Sequence, residues 1–269
     1  MRLRCISRTT FLVSILAAVA SLCQAAGPST PPRAKPTVFE TTLEEQGQKT
    51  PELSTEDFKA FAARKGVIVF DARPLREFAI AHIPGTTSID ETGFLRLVQA
   101  LPDRSTDIVV YSNGPGCDHA RRRADELVNL GYSRVSRYQL GLVVWRALGN
   151  TAETTVHGFR RIFSENSAVM VDARSRTEYA AGSIPAAESV LAGEVSKAMQ
   201  DHRLQYYDHN TRIVVFGNSA SEARAVAEEI ALNAYPNSSF FGGTYQELKR
   251  AKFFSERKPS SSNLEGLTR

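Results

Sequence analysis

Cysteine is scarce in this 269-residue chain: Cys5, Cys23 and Cys117 are all it has. No Cys-x2-Cys or His-Glu-x2-His occurs and the five histidines are scattered, so no metal site is expected. The glycine patterns that cradle dinucleotides or nucleotide phosphates are missing too, and no cofactor is expected. A marked excess of charge of one sign is also lacking, with 33 Lys and Arg against 29 Asp and Glu. Apolar runs are short throughout, and the longest, Phe11 to Leu22, falls below the roughly 20 residues of a membrane span.

That run follows Arg2, Arg4 and Arg8 and precedes small residues, the layout of a secretory signal peptide over residues 1–25 with cleavage after Ala25. An uncleaved anchor is the alternative. A lipid on Cys23 fits poorly, because Leu22 before it is large. Removing the segment takes Cys5 and Cys23 away and lowers the formal charge from +4 to +1, so the basic balance gives no reason to expect nucleic acid or a membrane surface as partner. One thiol, Cys117, is then left in an oxidising, periplasmic setting, where it has no partner for an internal disulfide. It is a buried hydrophobe, an intermolecular link or a reactive group.

Residues 26–51 read as a flexible, polar leader and residues 253–269 as a polar tail. Between them one unit is written twice. "VIVFDARPLREFAIAHIPGTTSI" and "AVMVDARSRTEYAAGSIPAAESV" place Asp71 and Asp172, Arg73 and Arg174, Glu77 and Glu178, and Pro84 and Pro185 each 101 residues apart. Two domains follow, 52–150 and 151–252. In each, short continuous apolar runs alternate with helix-like segments: Ser54 and Asp57 cap a stretch with Phe58, Phe61 and Ala62 at helical spacing, and "DIVVYS" and "RIVVFG" each precede a helix. This predicts an α/β fold with mainly parallel sheets and ligands at the carboxyl ends of the strands. The Asp and Arg two apart are read as structural, the acid orienting the guanidinium or capping the next helix, with Pro84 and Gly85 ending the helix that Glu77 begins.

Asp71-Ala-Arg73, Glu77-Phe78, His82-Ile-Pro-Gly85 and "LGLVVW" ending at Trp145, repeated as Asp172-Ala-Arg174, Glu178-Tyr179, Ser183-Ile-Pro185 and "FGGTY", resemble the rhodanese, or sulfurtransferase, domain in tandem. The resemblance implies two rhodanese-like domains, each a mainly parallel central sheet flanked by helices. It also implies a cysteine directly after the central strand, in a loop whose N–H groups favour a thiolate or persulfide. That cysteine takes sulfur from an anionic donor such as thiosulfate and passes it to a thiol or cyanide acceptor.

In this chain Ser112 stands at that place and Cys117 five residues later, as in a branch of the family whose loop reads Cys-x4-Cys. Cys117 is the candidate nucleophile, expected in the first turn of the following helix, with Gly114, Pro115 and Gly116 freeing the backbone for an anion cradle. Ser112, Asn113, Gly114, Gly116, Asp118, Arg121 and Arg122 are the candidate substrate contacts. The bland reading pairs Arg121, Arg122 and Arg123 with Asp125 and Glu126 on a solvated helix face, puts His119 on the surface and Trp145 in the core. "CDHARRR" is also Cys-x5-Arg, the cysteine-phosphatase spacing, which is a lesser alternative. The second domain's loop, "FGNSASEAR", has no cysteine and is read as inactive. The chain is thus expected to be an exported sulfurtransferase acting through Cys117, with a degenerate binding or accessory module as the rival reading and a protein partner left open.

Overall fold

The computed structural model describes residues 48–89, 93–204, 210–233 and 235–257. The expected signal peptide with Cys5 and Cys23, most of the leader and most of the tail lie outside them.

Two parallel sheets organise the chain. β1 (Ile68–Asp71), β2 (Thr87–Ser88), β3 (Ile108–Tyr111) and β4 (Val135–Tyr138) lie in the order β2-β1-β3-β4. β5 (Ala152–Thr154), β6 (Val169–Asp172), β7 (Glu188–Ser189), β8 (Ile213–Phe216) and β9 (Ser238–Phe241) lie in the order β5-β9-β8-β6-β7. Every neighbouring pair is parallel. The central strands β3 and β8 are buried along their whole length, which is why "IVVY" and "IVVF" are apolar without alternation. Successive side chains serve opposite faces: Val110 joins Phe70, Ile89, Ala124 and Leu127 on one face, while Val109 and Tyr111 join Phe58, Tyr138 and Trp145 on the other.

The first sheet is covered by α1 (Thr55–Ala62), α2 (Leu75–Ile80), α3 (Phe94–Gln99), α4 (His119–Asn129) and α5 (Gly141–Ala147). The second carries α6 (Val156–Ser164), α7 (Arg176–Ala181), α8 (Val195–Gln200), α9 (Ala220–Leu232) and α10 (Tyr245–Arg250). Ser54 caps α1 by accepting from the Asp57 amide, and Phe58 is its buried anchor, but Ala62 is exposed. No helix among the described residues is long and apolar enough to cross a membrane.

The repeated Asp and Arg form the same clasp in both units. Arg73 Nε reaches both carboxylate oxygens of Asp71 (2.9 and 3.1 Å), and its Nη2 also donates to the Ala81 carbonyl at 2.6 Å. Arg174 repeats this with Asp172 and the Gly182 carbonyl. The acid therefore orients the guanidinium and does not cap the next helix: Pro74 and Ser175 hold the cap positions, and Ser175 makes a reciprocal box with Glu178. α2 stops at Ile80, earlier than expected, because Ala81 turns extended; Pro84 and Gly85 shape a later turn closed by the Thr86 amide on the Ile83 carbonyl.

Both ends of the folded region reach further than the sequence suggests. The Arg137 amide donates to the Pro51 carbonyl, and the Leu53 amide to the Arg137 carbonyl, so the leader's last residues already pair with β4. Phe253 and Phe254 pack beside Phe163 and Tyr245, and Arg257 exchanges backbone hydrogen bonds with Ser183.

β5 joins the two units. On one side it pairs with β9, and on the other Glu153 exchanges both backbone hydrogen bonds with His82 (2.9 and 2.8 Å). α6 lies so close to α2 that a Cβ on Gly158 would stand 1.8 Å from the Ala79 carbonyl oxygen. Only glycine permits that approach.

Candidate functional site

The loop between β3 and α4 carries the thiol. β3 ends at Tyr111, whose hydroxyl donates to Asp71 Oδ2 at 2.6 Å, tying the strand end to the clasp. Burial and then the Asp71 charge push this phenol well above its ordinary pKa, so it stays protonated as a donor.

Ser112 and Asn113 point their carbonyls at the start of α5, where the Leu142 and Val143 amides donate at 3.1 and 3.0 Å. This needs Gly141: it adopts φ 62°, and a Cβ there would lie 2.4 Å from the Ser112 carbonyl oxygen. Asn113 Nδ2 donates to Glu77 Oε2 at 3.1 Å. The chain then turns, with the Cys117 amide on the Gly114 carbonyl at 3.0 Å and Gly116 at φ 83°. Gln139 Nε2 reaches the Cys117 carbonyl at 3.4 Å from beneath.

Cys117 is a free, half-buried thiol. It sits just outside the helix and not in its first turn, since Asp118 holds the cap position and α4 begins at His119. Asp118 makes no side-chain cap bond; its carboxylate faces Arg122 Nε at 3.3 Å. The mouth of an eleven-residue helix is therefore left uncapped by side chains beside the sulfur, a place where partial positive charge favours an anion.

The structure brings Ser112, Asn113, Gly114, Gly116, Cys117 and Asp118 onto one loop, with Arg121 and Arg122 exposed on the next helical turn. Several expectations change. The Ser112 hydroxyl is fully buried and has no partner; it is the carbonyl of Ser112 that bonds. The Cys117 amide is spent within the loop and is not free for an anion. Arg123 bonds Glu126 and lies over the Phe94 ring, so the Cys-x5-Arg spacing delivers no cation to the thiol. Among the described residues Asp125 forms no ion pair with an arginine, and its Oδ1 is enclosed without a hydrogen bond. His119 is half-buried, with Nδ1 enclosed and without a hydrogen bond. Trp145 is core, its Nε1 donating to the Thr151 carbonyl.

Glu77, Gln139 and Gly141 complete the site and were not singled out for it. Glu77 was visible as the repeat of Glu178, but their respective partners Asn113 and Asn218 stand 105 apart, out of step with the 101-residue repeat. No sequence signal marks Gln139 or Gly141 as supports of the loop.

The matching loop of the second unit has the same scaffold and a different filling. The Tyr245 amide donates to the Gly217 carbonyl at 2.7 Å, and Asn218 Nδ2 donates to Glu178 Oε1 at 2.8 Å. There the carboxylate of Glu222 folds back onto the Asn218 amide at 2.6 Å and lies against Gly217. Ser219 caps α9 through the Glu222 amide.

The rhodanese-like domain model matches twice, over residues 54–148 and 155–251. The chain belongs to the rhodanese-like family. No curated protein matches it. Among solved structures, this tandem rhodanese is similar to a thiosulfate sulfurtransferase from Pseudomonas aeruginosa, at 22% identity over 80% of this chain and 46% of the other, with a TM-score of 0.35. The chain thus spans about half the length of that enzyme. A variant of EanB in complex with ergothioneine is 16% identical over 78% of this chain and 63% of its own, with a TM-score of 0.32. The BH2092 protein from Bacillus halodurans is 24% identical over 39% of this chain and 76% of its own, with a TM-score of 0.35. Among the described residues of the two rhodanese units, no cluster of His, Cys, Asp and Glu is arranged to hold a metal.

Proposed function

We propose that the first unit is a sulfurtransferase that carries sulfane sulfur on Cys117. The supporting observation is the position of this free, half-buried thiol, at the mouth of the loop after the central strand and beside a helix start that no side chain caps. The Cys117 thiolate attacks the outer sulfur of a thiosulfate-like anion. The S–S bond of the donor breaks, sulfite leaves with the electron pair, and Cys117 holds a persulfide. Cyanide or a thiol then attacks the outer persulfide sulfur, and the cysteine departs as thiolate. Arg121 and Arg122, exposed on the adjoining turn, raise the local concentration of the anionic donor.

Incubation with thiosulfate, followed by intact mass, is expected to add one sulfur to the wild type and none to Cys117→Ser, and cyanide is expected to discharge it as thiocyanate. No adduct and no thiocyanate from the wild type would falsify the reading.

A binding or accessory module is the second reading, and Ser112 favours it: a serine holds no persulfide, and here it occupies the place directly after the strand. The proposed setting is the periplasm, on the strength of Arg2, Arg4, Arg8 and the apolar run Phe11 to Leu22. A reporter enzyme fused behind residues 1–25 checks this by its appearance in, or absence from, the periplasmic fraction.

A further inference from the structure

At the amino-terminal ends of β6, β8 and β9, away from the strand ends that carry the two loops, the surface opens into a cavity of about 620 Å3. Ser167, Asn210, Arg212 and Asn237 supply its polar wall, and none of the described residues lining it is acidic. Arg212 Nη1 leans on the Ser167 hydroxyl at 3.4 Å and forms no ion pair with a described residue.

A second arginine stands behind the wall. Arg146, in the last turn of α5 and so part of the first unit, donates from Nη1 to Asn237 Oδ1 at 2.9 Å. This fixes the amide with its oxygen toward the cation and its nitrogen toward the cavity, where Nδ2 meets the Asn210 carbonyl at 3.0 Å. The Nε and Nη2 donors of Arg146 are enclosed and have no acceptor. Burial, then the charges of Arg212 and Arg73, hold its guanidinium down to about 10, and no carboxylate among the described residues offsets them. A buried cation without a counter-charge is costly, and proteins ordinarily pair it.

One guanidinium in the wall and a second behind it, one from each unit, therefore flank an amide-lined cavity with no described acid. An anion placed there relieves the repulsion between the two arginines, and a doubly charged one relieves it more. Tetrahedral oxyanions also match the planar donor geometry of arginine. We propose that this cavity binds a small doubly charged oxyanion of the sulfate or phosphate class, held by Arg212 and the Asn237 amide and stabilised by the field of Arg146. The site is separate from the Cys117 loop and does not depend on sulfur transfer.

The test is calorimetric titration of the full chain with sulfate at ionic strength held constant by chloride. Saturable binding is expected, weakened at least tenfold by Arg212→Gln, which alters a half-exposed side chain and leaves the fold intact. Arg146→Met is expected to weaken it as well, and to raise the thermal midpoint measured without sulfate, because it removes an uncompensated cation. Arg224→Gln, which removes the same charge from an exposed pair with Glu228 on α9, should leave sulfate binding unchanged. A parallel titration with glucose 6-phosphate assigns the ligand: tighter binding than sulfate points to a phosphate ester, equal or weaker binding to the free ion. Absence of saturable binding, equal binding by Arg212→Gln, or loss of binding in Arg224→Gln would each overturn the proposal.

Discussion

The loops at Ser112 and Gly217 start alike and finish differently. Both present a carbonyl to the first amides of the helix beyond the following strand, α5 or α10, and both hold an asparagine amide against a glutamate of the Asp-x-Arg helix. Beyond that asparagine the second loop closes on itself: Ser219 caps α9 and the Glu222 carboxylate takes the Asn218 amide. The place suited to an outside anion is filled by one of the protein's own. The first loop runs longer, through Gly116 in a left-handed turn, and ends at a free thiol beside an uncapped helix. The difference teaches that the fold supplies the anion-favouring geometry twice, and the residues after the asparagine decide whether it stays open.

The largest expected effect tests what the units share. Removing one partner of the buried clasp strands the other charge, so Arg73→Leu and Arg174→Leu should each cost about 3–5 kcal/mol in urea unfolding. Comparable losses in both would show that the clasp is common scaffold. A cost below about 1 kcal/mol in either unit would break the equivalence.

The next effects separate the two loops. Glu222→Ala leaves the exposed Asn218 amide to water in place of its charged acceptor and should cost about 0.5–1.5 kcal/mol. Ser219→Ala removes a helix cap and should cost about 1 kcal/mol. Asp118→Ala, at the corresponding position before α4, should cost only a few tenths, since it forfeits an exposed pair with Arg122 and no cap. Equal costs for Ser219→Ala and Asp118→Ala, read from urea midpoints, would contradict the contrast drawn between an open loop and a closed one.

How much of this was legible in the sequence follows from the range of the interactions. The Asp-x-Arg clasp is local, two residues apart, and is copied at a fixed offset, so composition and repetition suffice to find it. The buried strands announce themselves as unbroken apolar runs. The loops resist because their meaning is long-range: Glu77 meets Asn113, and Gly141 backs Ser112, only once α2 and α5 are laid over the sheet. Glu222 reads as an ordinary helix-start acid, and nothing in "FGNSASEAR" says that its carboxylate turns back onto the loop. The boundaries erred for the same reason. Pro51 and Phe254 look like leader and tail until β4 and α10 supply the surfaces they cover.

The smallest effect comes from a position where the repeats diverge in chemistry, His82 against Ser183. Ser183 donates its hydroxyl to Asp172 Oδ2, a duty that falls to the Tyr111 hydroxyl in the first unit, and this leaves His82 free to serve the junction. His82 stacks on Phe78, its Nδ1 is bonded to the Phe78 carbonyl at 2.9 Å, and its Nε2 lies 3.8 Å from Glu153 Oε2. Burial lowers its pKa below the ordinary 6.5, and the Phe78 carbonyl, Glu153 and Asp71 offset this only in part, with Arg73 adding to the fall. The ring is therefore neutral in the folded protein, and the contact with Glu153 is no ion pair at neutral pH. Between the lowered value and 6.5 the unfolded chain binds a proton that the folded chain does not, so stability is full above 6.5 and declines as pH drops through that window, by no more than about 1.4 kcal/mol per pH unit for one proton. His82→Asn keeps a donor for the Phe78 carbonyl and removes the titration. Urea midpoints from pH 8 to pH 5.5 should fall less steeply for this variant than for the wild type, and parallel slopes would show that the junction does not sense the proton at all.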